Sequence, residues 1–212
     1  LKENGLKILK INKKKFIYLI SPTKIDNSFY SNLTNVLKQE KVSFFQLRLK
    51  RESFKRKLII GKKIKKICKK FNVKFLINDD VFLAKELNTD GCHLGQKDMD
   101  IFEARKLIGN KIIGITCHNS IKLAKLAIKN KASYLAFGAF NSSKTKKIKY
   151  KASVNVLNKA RKITKVPLIA IGGITSNNYQ KLLLNNANFL AISSYIWNNK
   201  KIKPIEAMKK FK

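Results

Sequence analysis

The chain of 212 residues is 44% hydrophobic and has three widely spaced cysteines, which fits one reduced globular domain and excludes a disulfide-stapled scaffold. No apolar run approaches the roughly 18–20 residues that cross a bilayer, and the basic N-terminal stretch is followed by no secretory apolar segment, so we expect a cytoplasmic protein without a membrane partner. The net charge of +35 suggests an anionic partner, but 42 of the 47 basic residues are lysines spread along the chain, which favours a solvated surface over a nucleic-acid footprint.

Short apolar runs typical of buried strands recur along the chain. They cover residues 16–20, 44–49, 73–77, 91–94, 112–116, 134–138, 168–171 and 189–193. Segments with the apolar spacing of helices follow them. These segments cover residues 28–41, 52–71, 80–88, 100–108, 119–130, 152–165, 175–186 and 204–211. The alternation predicts an α/β fold, a single-domain (β/α)₈ TIM barrel.

The domain organisation follows from this alternation. Residues 1–15 are expected to form a basic N-terminal extension, and residues 16–212 the barrel domain. An open doubly wound sheet is the alternative fold, but it normally has a GxGxxG turn after an early strand, and the sequence has none. Because chemistry in a barrel lies where strands end and βα loops begin, residues at those positions are the candidates for a site.

The end of the second predicted strand carries an amide and two cations at alternate positions. Within the segment Gln46, Leu47, Arg48, Leu49, Lys50, the polar side chains share the face directed at the barrel mouth, while the two leucines pack outward. This pattern favours an anion site. A half-exposed strand in a basic chain is the structural alternative.

Three of the 12 acidic residues follow the third and fourth predicted strands, namely Asp79, Asp80 and Asp98. Carboxylates on neighbouring loops that face Arg48 and Lys50 are the arrangement expected for Mg²⁺ bridging to a substrate phosphate. Helix capping is the alternative for each aspartate taken alone. The joint appearance of acids and bases on consecutive loops favours the metal site.

The later loops carry groups that bind phosphate. Ser143, Thr145 and Lys146 follow the sixth predicted strand and supply hydroxyls and a point charge. Gly173 follows the seventh predicted strand and Ser193 ends the eighth, and backbone N–H groups of these two loops form the recurring phosphate site of the fold. The sequence therefore predicts two anion sites and a pair of phosphorylated substrates.

Together, these motifs resemble the thiamine-phosphate synthase family over nearly the whole barrel. Residues 46–50 resemble the family's Gln-x-Arg-x-Lys segment, which holds the pyrimidine diphosphate. The resemblance therefore implies substrate binding by Gln46, Leu47, Arg48, Leu49 and Lys50. Residues 78–80 match its Asn-Asp-Asp motif, and residues 91–98 resemble its Gly-x-His-x-Gly-Gln-x-Asp segment. Each motif is weak alone, but their order on the expected loops is specific.

The resemblance implies roles for individual residues. Asn78 would contact the diphosphate, and Asp79 and Asp98 would bind Mg²⁺, the implied cofactor. Thr116 stands where the family usually has serine, and its hydroxyl would form a hydrogen bond with the pyrimidine. The catalytic charges would come from Arg48, Lys50 and Lys146. The thiazole phosphate would be held by Ser143, Lys144, Thr145, Lys146, Gly173, Ser193 and Ser194.

The activity that the resemblance implies joins hydroxymethylpyrimidine diphosphate to thiazole phosphate, giving thiamine phosphate and pyrophosphate. A thiazole tautomerase-like isomerase, with His118 as its acid and base, or a non-catalytic thiamine-metabolite-binding paralogue is the alternative. A nucleic-acid-binding protein is the third. His93 is expected to be a packed or hydrogen-bonded barrel residue rather than a ligand. The sequence leaves homo-oligomer formation open.

Overall fold

The computed structural model describes residues 14–142 and 150–212, and within them eight parallel strands form a closed barrel in which each strand pairs with the next in the sequence and β8 pairs with β1. The strands are β1 (Ile17–Ile20), β2 (Val42–Leu47), β3 (Lys74–Asn78), β4 (Gly91–Leu94), β5 (Ile112–His118), β6 (Tyr134–Phe137), β7 (Leu168–Ile171) and β8 (Phe189–Ile192). The predicted (β/α)₈ architecture is confirmed. The proposed extension, residues 1–15, lies almost entirely outside the described residues.

Helices surround the barrel and connect successive strands. In the described ranges they are α1 (Ser28–Leu37), α2 (Phe54–Lys70), α3 (Val81–Glu86), α4 (Ile101–Ile108), α5 (Ile121–Lys129), α6 (Val154–Ile163), α7 (Gln180–Leu184), α8 (Ser194–Trp197) and α9 (Pro204–Lys209). No helix in this part of the chain is both long and apolar enough to span a membrane.

Several predicted element bounds differ from the structure, and one helix was not predicted. β2 ends at Leu47, two residues before the predicted end, because apolar alternation continues past the last strand pairing. α7 begins only at Gln180, since the Asn178 side chain accepts from the Thr175 N–H (2.9 Å) and donates to the Gly173 carbonyl (2.9 Å), which holds a turn where a helix was predicted. α8 was not predicted, because four residues are too few to show a helical period.

Side chains from the strands form two apolar clusters on opposite faces of the sheet. One fills the barrel interior and contains Tyr18, Ile20, Phe44, Leu76, Tyr134, Ala136, Ile169, Phe189 and Ala191. The other lies between the strands and the helices, where Ile17, Leu19 and Leu47 are buried. Because both faces are covered, the strands are apolar throughout, as is typical of parallel sheets.

Asp80 caps α3, which is the alternative that helix capping offered for this residue. Its carboxylate accepts from the Leu83 N–H (3.0 Å) and pairs with Lys57 Nζ (3.2 Å). We expect Asp80→Ala to lower the free energy of unfolding by about 1–2 kcal/mol, mainly through the lost cap. Asp80→Asn keeps an acceptor for the cap and should cost less in the same denaturant titration. An equal loss in both variants would assign the effect to the ion pair with Lys57.

Candidate active site

The loops after β2, β3 and β4 bring three predicted site residues together at the barrel mouth. Lys50 Nζ lies 3.0 Å from Asp79 Oδ2. The Asp79 side chain is also hydrogen-bonded to that of Asp98, whose Oδ2 accepts from the Gly95 N–H (2.6 Å). Two carboxylates and an ammonium group, separated by up to 48 positions in the sequence, thus meet at one place.

The pKa values of the two carboxyl groups are shifted in opposite directions. Burial raises the pKa of Asp98, and the adjacent Asp79 raises it further. Burial also acts to raise the pKa of Asp79, but the hydrogen bond with Asp98 and the charge of Lys50 outweigh it, so that this pKa is lowered. The two carboxyl groups therefore titrate as an interacting pair rather than independently.

Two neighbouring carboxyl groups of this kind suit a divalent cation. Mg²⁺ is often held by one or two carboxylates, with phosphate oxygens and waters as its remaining ligands. Among the described residues, no group of three or more His, Cys, Asp or Glu side chains could hold a metal ion. Asp79 and Asp98 fit the smaller donor set that a phosphate-bound Mg²⁺ needs.

The backbone fixes the direction of Asp79. This residue has a φ of 63° in the left-handed region, which aspartate and asparagine tolerate better than most residues. Its N–H donates to the carbonyl of His93 (2.8 Å), so the end of β3 is attached to β4. The carboxylate is thus set by a turn, and Asn78, the last residue of β3, precedes it at the mouth.

The end of β2 is attached to β1 in a similar way. The Arg48 N–H donates to Ser21 Oγ (2.9 Å), and the Ser21 N–H donates to the carbonyl of Gln46 (2.9 Å). Leu47 and Leu49 pack in the outer cluster, as their alternation predicts. Together with Lys50 and Asp79, among others, the two leucines line a cavity of about 200 Å³ at the ends of β2 and β3.

A chain of hydrogen bonds crosses the barrel beneath these residues. Gln46 Nε2 donates to the Tyr18 hydroxyl (2.8 Å), which bonds the Tyr134 hydroxyl (2.8 Å). The Tyr134 hydroxyl bonds His93 Nδ1 (2.9 Å), and His93 Nε2 bonds Thr116 Oγ1 (2.8 Å). We refer to these five residues as the interior hydrogen-bond chain. It connects two predicted substrate-binding residues, Gln46 and Thr116, and confirms His93 as a hydrogen-bonded barrel residue.

The loops after β7 and β8 lie beside the loop after β6. Gly173 has a φ of 58°, and a Cβ built there would lie 2.3 Å from the carbonyl oxygen of Ser142. Ser193 Oγ donates to the carbonyl of Ser21 (3.1 Å), and Ser194 is the first residue of α8. The remaining predicted residues of this region, Ser143, Lys144, Thr145 and Lys146, lie outside the described residues.

Comparison with known proteins adds a family to this geometry. The sequence model of the thiamine monophosphate synthase family matches residues 17–196. That span begins with β1, ends within α8 and includes all the predicted site residues. The chain belongs to the thiamine monophosphate synthase family.

Relatives of this family member include thiamine-phosphate synthases from two bacteria. The protein from Pelagibacter ubique (strain HTCC1062) is 68% identical over 204 residues, which cover 96% of this chain and 98% of that protein. The protein from Erythrobacter litoralis (strain HTCC2594) is 36% identical over 196 residues, covering 90% and 92%. A solved structure, the thiamine phosphate pyrophosphorylase from Pyrococcus furiosus, has a TM-score of 0.82 at 24% identity, covering 94% of each chain, and shares the fold.

Sequence reasoning about this family member missed Tyr18 and Tyr134 as parts of the site region. Both are almost fully buried in the barrel interior. A buried tyrosine hydroxyl normally finds a polar partner, so a tyrosine within an apolar strand run was the available signal. Gly114 provides the space for Tyr134, because a Cβ there would lie 1.8 Å from the Tyr134 ring.

His93 is expected to make the stability of this family member depend on pH. Burial lowers the pKa of His93 to about 4, against the attraction of Asp79. An unfolded histidine takes up its proton near pH 6.5, so the unfolded state binds more protons between about pH 6.5 and pH 4. We expect the contribution of neutral His93 to be complete above pH 6.5 and to fall by up to about 1.4 kcal/mol per pH unit below it.

Denaturant titrations at pH 7 and pH 5 test this expectation. The free energy of unfolding should fall on acidification, and it should fall less in His93→Gln, which lacks the titrating ring. His118 is present in both proteins and cancels in the comparison. An equal fall in both proteins would contradict the assignment to His93.

Proposed function

We propose that this chain is a thiamine-phosphate synthase, a transferase that joins hydroxymethylpyrimidine diphosphate to thiazole phosphate and releases pyrophosphate. The observation that carries the proposal is the cluster of Lys50, Asp79 and Asp98 at the barrel mouth, above a hydrogen-bond chain that ends at Thr116. Cations and paired carboxylates suit a diphosphate with its counter-ion, and the amide and hydroxyl groups beneath suit a polar heterocycle.

In this proposal the two substrates lie on different loops. The diphosphate contacts Arg48, Lys50 and Asn78, while the pyrimidine lies between Gln46 and Thr116. The thiazole phosphate binds to backbone groups near Gly173, Ser193 and Ser194, with Ser143, Lys144, Thr145 and Lys146. The described part of this second subsite is consistent with the recurring phosphate site of (β/α)₈ barrels, at the loops after strands seven and eight.

The reaction breaks the bond between the pyrimidine methylene carbon and the diphosphate oxygen. The electron pair of this bond leaves with pyrophosphate. The lone pair of the thiazole nitrogen then forms a bond to the methylene carbon. No general base is needed, because no proton is removed from either reacting atom. The side chains contribute by holding the two rings in line and by stabilising charge on the leaving group, through Arg48, Lys50 and Lys146.

We propose Mg²⁺ as the cofactor, with Asp79 and Asp98 as its protein ligands. When bound, it would supply positive charge to the departing diphosphate. Lys50, which pairs with Asp79 (3.0 Å), would contact the same phosphate oxygens.

A fluorescence assay of product formation tests the proposal. Purified protein is mixed with hydroxymethylpyrimidine diphosphate, thiazole phosphate and Mg²⁺, and thiamine phosphate is measured after oxidation to its fluorescent thiochrome. We expect product, and we expect EDTA to abolish it. Absence of product while both substrates bind would contradict the synthase proposal. Product that is insensitive to EDTA would contradict only the proposal of Mg²⁺.

We also propose a cytoplasmic location for this activity. The thiols of Cys68, Cys92 and Cys117 are free and buried. Burial raises the pKa of Cys92 and of Cys117 to about 12, so both stay protonated at neutral pH. Free thiols of this kind are typical of a reducing compartment, where disulfides do not persist.

A further inference from the structure

We propose that the interior hydrogen-bond chain runs in one direction, from Gln46 to Thr116, and so holds His93 as the Nε2–H tautomer and turns the Thr116 hydroxyl hydrogen towards the substrate. His93 is then a positioning residue, acting on the substrate through Thr116.

The direction is set at the Gln46 end. Gln46 Nε2 donates to the Tyr18 oxygen (2.8 Å). The hydrogen of Tyr18 cannot return along that bond, so it is donated to the Tyr134 oxygen, 2.8 Å away. Tyr134 therefore accepts from Tyr18 and donates its own hydrogen to the next member of the chain, His93 Nδ1 (2.9 Å).

The same count of hydrogens determines which tautomer the His93 imidazole adopts. Because Nδ1 accepts from Tyr134, the ring hydrogen is on Nε2, which donates to Thr116 Oγ1 (2.8 Å). A doubly protonated ring would donate at Nδ1, which would force Tyr134 to donate to Tyr18 and leave the Tyr18 hydrogen facing the donating amide of Gln46. The number of hydrogens thus allows one arrangement once Gln46 donates.

Because the first three members of the chain are buried, the hydrogen count allows them no alternative partners. Gln46 and Tyr18 are each 2% exposed and Tyr134 is 1% exposed, so water does not supply alternative partners to their polar atoms. Burial also raises the pKa of Tyr18 and of Tyr134 above the usual value, so both keep their hydrogens. The rings of His93 and Tyr134 are stacked, with centroids 5.6 Å apart and an angle of 10°, which holds the imidazole in place.

The consequence for the substrate rests on the proposed function. Because its oxygen accepts from His93, the Thr116 hydroxyl keeps its own hydrogen for donation at the barrel mouth. The substrate atom that this hydrogen contacts is then a hydrogen-bond acceptor, such as a ring nitrogen of the pyrimidine. A chain running in the opposite direction would direct the Thr116 hydrogen at His93 and leave the hydroxyl able only to accept, for example from an amino group.

The tautomer can be measured without substrate. The chain has two histidines, His93 and His118, so ¹⁵N-labelled imidazole signals are assigned by comparison with a His118→Gln variant. We expect the ¹⁵N shifts of His93 to show hydrogen on Nε2 and none on Nδ1 at neutral pH. Hydrogen on Nδ1, or on both nitrogens, would overturn the proposal whether or not the protein is a synthase.

Removing one hydroxyl tests the link between the chain and the ring. Tyr134→Phe deletes the group that donates to Nδ1, and Tyr18→Phe breaks the chain one residue earlier. Both variants should shift His93 towards a tautomer mixture. Tyr179→Phe is the matched control, since that buried hydroxyl bonds only main-chain atoms of Lys212 in the described residues. An unchanged His93 signal in both interior variants would overturn the role of the tyrosines.

Kinetics then test the effect on the substrate. We expect Tyr134→Phe to raise the KM for the pyrimidine diphosphate by about 10-fold, as for loss of one well-directed hydrogen bond, with the KM for thiazole phosphate unchanged. Tyr179→Phe should change neither. An equal rise in both KM values, or in neither, would overturn the substrate part of the proposal. If wild-type protein makes no product, the proposed function fails while the tautomer result still stands.

Discussion

Asp79→Asn is expected to lower kcat/KM for thiamine phosphate formation by about 10²–10³-fold, the usual cost of removing one preorganised charge contact. Asparagine keeps the shape of the side chain and tolerates the left-handed φ of 63° found at this position. The variant therefore removes the negative charge of residue 79, which lies beside Lys50 and Asp98, without altering the turn. Activity measured against Mg²⁺ concentration should show a higher half-saturation, because one of the two proposed carboxylate ligands is neutral.

The adjacent residue provides the control. Asp80→Asn makes the same chemical change one position later, on a carboxylate that caps α3 and pairs with Lys57. We expect its kcat/KM and Mg²⁺ dependence to match those of the wild-type protein. Unchanged turnover in Asp79→Asn at saturating Mg²⁺ would reject Asp79 as a ligand. Equal losses in both variants would indicate a general effect of charge at the mouth.

The strand order was predictable because each strand is buried on both faces. Short apolar runs separated by amphipathic segments leave few arrangements other than a barrel or a doubly wound sheet, and the missing glycine-rich turn decided between them. The lengths of the elements were less predictable. Apolar alternation at Leu49 continues beyond the last pairing of β2, since packing beneath a helix requires the same residue types as a strand.

The site was predictable where residue type alone carries the chemistry. Asp79, Asp98 and Lys50 lie on consecutive loops, so their meeting followed from the barrel itself. The tyrosine pair was not predictable in this way, because Tyr18 and Tyr134 are 116 positions apart and touch only across the interior of the closed barrel. Such contacts depend on which side chains reach the barrel axis, and Gly114 leaves the space that Tyr134 fills.

Gly173→Ala is expected to raise the KM for thiazole phosphate by about 10-fold or more while leaving the KM for the pyrimidine diphosphate unchanged. A Cβ at Gly173 would lie 2.3 Å from the Ser142 carbonyl oxygen and 2.8 Å from the Asn141 carbonyl carbon. These are backbone atoms, so one of the two loops must move. The Asn141 N–H also donates to the carbonyl of Gly172 (3.1 Å), which couples the loop after β6 to the loop after β7.

A second glycine provides a control that distinguishes the displacement of the loop from the effect of backbone strain. Gly109 has the same φ of 58°, but a Cβ built there would meet no atom within 4 Å among the described residues. Alanine at either position should therefore lower the free energy of unfolding, because residues with a Cβ rarely adopt this positive φ. Only Gly173→Ala should also change a KM, because only there does the methyl group push on a loop of the proposed phosphate subsite. If both variants lose stability alike and neither changes the KM for thiazole phosphate, the contact between these loops is structural, and the phosphate must be bound elsewhere on the barrel.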